Sequence, residues 1–138
     1  MDYKERILRV ANIIKLNSNI EESFGLTEKE LLDLIREDIN NILENNYIEE
    51  DEFKLEDLKI YGSYLKGTNK DTSDLDVIVQ YSGNMPEDGA FNLFHEEDLF
   101  ITDTNGINRI IDINPVNREL SGTIEENLKY FDTLEAKA

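Results

Sequence analysis

The apolar residues of this chain change their period once, and that change restricts the fold more than any other feature. Before about residue 55 they recur at helical spacing. Ile7, Val10, Ala11 and Ile14 fall at i, i+3, i+4 and i+7 and predict a helix over 2–16. Residues 17–26 read as a loop. A second helix starts at Thr27, which forms a capping box with Glu30, and buries Leu31, Leu32, Ile35, Ile39, Ile42 and Leu43. The acidic run Glu49–Glu52 ends it in a solvated turn.

From Leu58 the period becomes two. Leu58–Tyr61 alternates and stops at Gly62-Ser63, as a strand entering a turn does. Residues 63–73 are polar. Leu75–Tyr81 is a β-branched strand, Ser82–Pro86 a loop, and 87–98 a short helix with Phe91, Phe94 and Leu93 turned inward. After a turn at Thr102–Gly106, a further strand runs over Asn108–Asn114 and stops at Pro115. Thr123 and Glu126 form another capping box, and Ile124, Leu128 and Phe131 share one face of a final helix. There are no internal repeats, low-complexity tracts or linkers. The reading is one α+β domain over 1–138, with a helical segment at 1–55, a core at 57–116 and a C-terminal helix at 121–136.

Composition narrows the function. Against 14 Lys+Arg stand 31 Asp+Glu, a formal charge of −17. Such a chain has no basic surface with which to grip DNA or RNA, or an anionic membrane. Without cysteine, disulfides and thiolate metal sites are impossible, and with one histidine, His95, so are histidine-rich metal sites. No apolar run approaches the roughly 20 residues of a membrane span, and the N-terminus lacks a signal-peptide pattern. A soluble, cytoplasmic protein is expected.

Three segments carry chemistry together. Gly62-Ser63 sits at a strand end. Asp74 and Asp76 lie two apart, so their carboxylates share one strand face while Leu75, Val77 and Val79 take the other. Asp112 adds a third carboxylate if its strand lies beside that of Asp76. Carboxylates held close repel each other, a state tolerated when a cation sits among them. Three can hold two Mg²⁺ ions roughly 3.5–4 Å apart, one serving the attacking oxygen and the other the leaving phosphate. Gly62 permits close backbone approach to a phosphate, and Ser63 can donate to it. Lys66 and Lys70 are the only Lys or Arg between Lys59 and Arg109. They read equally as phosphate contacts or ordinary loop lysines.

Taken singly, a Gly-Ser turn is a turn, an Asp-x-Asp a solvated strand edge, and Asp112 either a ligand or an exposed strand residue. His95, beside Phe91 and Phe94, reads as a helix-face residue rather than a catalyst. Arg109 falls on the face opposite Asp112. It is the combination that points to a site.

Gly62-Ser63-Tyr64-Leu65-Lys66-Gly67, followed by Ser73-Asp74-Leu75-Asp76-Val77 with ten residues between Ser63 and Asp74, resembles the signature of the polymerase-beta-like nucleotidyltransferase superfamily. The closest likeness is to its minimal, antitoxin-like members. That resemblance implies a small mixed β-sheet flanked by helices, an NTP substrate, Mg²⁺, and transfer of a nucleoside monophosphate with release of pyrophosphate. By position it implies Asp74, Asp76 and Asp112 as catalytic and metal-binding residues, and Gly62, Ser63, Lys66, Lys70 and Ser73 as nucleotide-binding residues. It further implies ATP as donor and a HEPN-type toxin as partner and acceptor. Two other readings stand beside it. One is a non-catalytic nucleotide- or toxin-binding module of the same fold. The other is a small-molecule, aminoglycoside-type transferase, which the acidic surface would suit.

Overall fold

The computed structural model describes residues 19–62 and 74–137. The helix expected over 2–16, and Ser63, Lys66, Lys70 and Ser73, lie outside the described residues. A helical stretch over 19–24 leads into α1 (Glu28–Asn45), β1 (Lys54–Tyr61), β2 (Leu75–Ser82), α2 (Glu87–Glu96), β3 (Phe100–Thr102), β4 (Asn108–Asn117), the single turn α3 (Arg118–Ser121) and α4 (Ile124–Lys137). The strands form one mixed sheet in the order β1-β2-β4-β3. β1 is antiparallel to β2, β2 parallel to β4, and β3 antiparallel to β4. The expected α+β architecture, a small mixed sheet flanked by helices, is the observed one.

Local chemistry accounts for the helices. Thr27 accepts from the Glu30 N–H and Glu30 returns the bond to the Thr27 N–H, each at 3.1 Å, so two orphan donors of α1 are satisfied. Leu31, Ile35, Ile39, Ile42 and Leu43 of α1 are buried on one face of the sheet, against Leu58, Ile60, Leu75, Val77, Val79, Ile111 and Ile113. Phe53 stacks on Tyr81, with ring centroids 4.2 Å apart, and meets Phe94 edge-on at 5.5 Å. The other face carries a smaller cluster in which Ile78, Val116 and Ile124 are buried with Tyr61 and Leu128. The sheet is thus covered on both sides. Among the described residues the second face carries the smaller cover, and the acids lie on that face.

Several boundaries differ from the sequence reading. The supposed loop at 17–26 is helical over 19–24, because Ile20 and Phe24, one turn apart, are both buried in the main core. One turn is too short for a period to show. β1 begins at Lys54 rather than Leu58, since an irregularity between Leu55 and Asp57 breaks the alternation. β3 has three residues, too few for an alternation to show. β4 does not stop at Pro115 but runs to Asn117. β3 pairs only with Asn108–Ile110, so beyond that point one side of β4 has no strand neighbour among the described residues. A proline is tolerated there because an N–H facing the open side has no ladder bond to lose.

In α2 it is Ala90 and Phe94 that are buried, while Phe91 is 43% exposed. The helix ends two residues before the expected 98, where Asp98 turns to φ +41. Arg109 faces away from Asp112, as its alternation requires. It is buried, and its Nε donates to Asp103 Oδ2 at 2.9 Å.

Candidate active site

The parallel pairing of β2 with β4 sets Asp76 opposite Asp112. Paired residues on neighbouring strands project to the same side, about 4.8 Å apart between strands. Asp112 therefore does lie beside the Asp-x-Asp strand. Asp74 is exposed just before β2, whereas Leu75, Val77 and Val79 are wholly buried on the opposite face, as the alternation demands. On its other side Asp76 is paired with Tyr61 of β1. Ile78, two residues further along β2, is fully buried and forms an apolar floor with Val116 and Ile124.

The carboxylates act on one another. The Asp76 carboxyl is pushed up from 3.8 to about 6, first by desolvation, then by the charges of Asp112 and Asp74. All three influences act in the same direction. Burial also raises the Tyr61 phenol, with the Asp76 and Asp112 charges adding to it and a hydrogen bond with the Asn114 side chain opposing it. Burial and the neighbouring carboxylates thus both oppose ionisation of Asp76.

Gly62 closes the corner. Its φ is +78, a conformation that L side chains rarely adopt. A Cβ there would also lie 2.6 Å from Asp76 Oδ2. The positive φ favours glycine at this strand end, and a side chain there would have to displace the Asp76 carboxylate.

One residue at this site escaped the sequence reading. His95, in the last turn of α2, sets Nε2 2.8 Å from Asp112 Oδ1. Its Nδ1 donates to the Phe91 carbonyl at 2.7 Å, and its ring stacks on Phe91 with centroids 3.7 Å apart. It is a helix-face residue, as expected, but that face meets the third acid. The only signal in sequence was the i, i+4 spacing of Phe91 and His95, which shows a contact within the helix and nothing of what lies across from it.

A mixed sheet with glycine at the end of one strand and acids paired across the two beside it suits an enzyme that moves nucleotidyl groups. A comparison with family models supports that assignment directly: the nucleotidyltransferase domain family matches residues 48–135. The chain belongs to the nucleotidyltransferase domain family and is a transferase of nucleotidyl groups. The match begins just after α1, runs into α4 and takes in the whole sheet. Neither the curated proteins nor the solved structures compared with the chain match it.

The family generally uses a divalent cation. Among the described residues, no three His, Cys, Asp or Glu side chains are already arranged as a metal nest. The donor chemistry nonetheless fits a hard cation. Asp76 and Asp112 offer carboxylate oxygens from paired positions, and Asp74 lies just before the same strand as Asp76.

Proposed function

We propose that the protein moves a nucleoside monophosphate, AMP in the favoured case, from an NTP to a hydroxyl on a partner protein, in the manner of an antitoxin acting on a HEPN-type toxin. The observation that carries the catalytic part is the Asp76–Asp112 pair, with Asp74 beside it and Gly62 closed over it. The partner rests on the resemblance of the Gly62-Ser63 and Asp74-Leu75-Asp76 segments to the minimal members of the superfamily, together with a charge of −17 that suits no polyanionic acceptor.

In this reading Asp74, Asp76 and Asp112 hold Mg²⁺, which when bound supplies charge neutralisation at the phosphates. Gly62, Ser63 and Ser73 contact the triphosphate, and Lys66 and Lys70 offset its charge. The acceptor oxygen forms a bond to the α-phosphorus, the bond from that phosphorus to the bridging oxygen breaks, and pyrophosphate leaves. The hydroxyl proton passes to the Asp112 carboxylate. Positioning and charge neutralisation carry such a reaction, more than covalent chemistry by the protein.

The test uses each of the four α-labelled NTPs with Mg²⁺ and, as acceptors, a HEPN-type toxin or an aminoglycoside. Label on the toxin with stoichiometric pyrophosphate release, lost in Asp76→Asn, is the expected result. Label on the aminoglycoside alone would move the acceptor to a small cation. No label and no pyrophosphate from any NTP, with partner binding intact in Asp74→Ala/Asp76→Ala, would leave a binding module.

A further inference from the structure

The contact between His95 and Asp112 joins two elements that the transfer reading does not itself connect. His95 is the single histidine of the chain. When the ring is doubly protonated both nitrogens donate, Nδ1 to the Phe91 carbonyl and Nε2 to Asp112 Oδ1. The Phe91 ring braces it face to face, 23° from parallel. The helix that bears it is itself fixed, since Ala90 and Phe94 are buried in the main core. The imidazole is therefore not a side chain that drifts onto a surface carboxylate. It is presented from an anchored helix to the acid that lies opposite Asp76.

We propose that His95 is a positioning residue for Asp112 in nucleotidyl transfer. Holding Oδ1 fixes the carboxylate plane and leaves Oδ2 to meet a cation or the acceptor hydroxyl. A carboxylate that must serve a cation gains from a partner on its second oxygen, because rotation about its last bond would otherwise be lost on each binding event. Phe91 has a part in the same device: its exposed ring covers no core and instead backs the imidazole. The role rests on the transfer reading, and its test separates the two.

Mn²⁺ affinity of the full chain, read from the EPR signal of the free ion, is compared in wild type, His95→Ala and His95→Gln, alongside pyrophosphate release at saturating NTP with Mg²⁺ and the HEPN-type toxin or aminoglycoside as acceptor. Removing a group that orients a metal-binding carboxylate typically costs 10- to 100-fold in metal affinity or activity. We expect a loss of roughly that size in both measurements for His95→Ala, with KM for the NTP changed less than about 3-fold. His95→Gln, which keeps a donor near the same reach, should recover part of each. The lone histidine also gives unambiguous ring ¹⁵N signals. Mg²⁺ should shift them in wild type and leave them unmoved in Asp112→Asn. Variants indistinguishable from a wild type that binds Mn²⁺ and releases pyrophosphate overturn the role alone, as do ring signals blind to Mg²⁺ in that protein. A wild type that neither binds Mn²⁺ nor releases pyrophosphate overturns the transfer reading, and the role with it.

Discussion

At the scale of single residues, Asp76 and Gly62 show a site held at a cost to the fold. A carboxyl raised to about 6 from 3.8 favours the protonated folded state. Its contribution to stability is present below about pH 3.8 and is lost as pH rises through about 6. At pH 8 the ionised group opposes folding, by on the order of 1 kcal/mol once solvent screening of a half-exposed side chain is allowed for. Asp76→Asn should therefore stabilise the metal-free protein by about 1 kcal/mol in urea melts at pH 8, and the gain should vanish at pH 3.5. A gain that is the same at both pH values would show that charge is not its source. Gly62→Ala should destabilise by about 1–3 kcal/mol, through a strained positive φ together with the clash on Asp76. Repeated in an Asp76→Ala background, the same substitution should cost less, because only the backbone strain remains. Equal costs in the two backgrounds would remove the carboxylate from the explanation.

At the scale of elements, each helix and strand plays a separable part. Thr27 and Glu30 cap α1, which lies before the residues that the family match covers. Thr27→Ala should lower stability by about 1 kcal/mol and leave turnover per folded molecule unchanged. A fall in turnover would tie α1 to the reaction itself. The strands were legible where β-branched residues or alternation marked them, as in Leu75–Tyr81 and Leu58–Tyr61, and illegible where a bulge or three-residue length hid them, as in Lys54–Asp57 and Phe100–Thr102. The edge of the sheet explains the error at Pro115. Sequence marks proline as a terminator, but whether an N–H is needed depends on which strands lie alongside.

At the scale of the whole molecule, a charge of −17 makes self-repulsion a general tax on compactness. Raising NaCl from 20 to 300 mM should raise Tm in every variant, because screening acts on all charges. Mg²⁺ at matched ionic strength should raise Tm further in wild type, by binding the folded state, and not in Asp76→Asn. A further rise in both would mean that Mg²⁺ acts only as a diffuse counterion. The sequence by itself determined the period of each long segment, hence which side chains share a face. It placed Asp74 and Asp76 together and set glycine where β1 ends. Those facts depend only on neighbours along the chain. The tertiary structure alone decided that Asp112 stands opposite Asp76, that Gly62 closes on the Asp76 carboxylate, and that His95 reaches Asp112. Period tells a residue's face but not its neighbouring strand. Register between β2 and β4, and the placing of α2 beside them, follow from how the buried faces pack, and no local pattern records that.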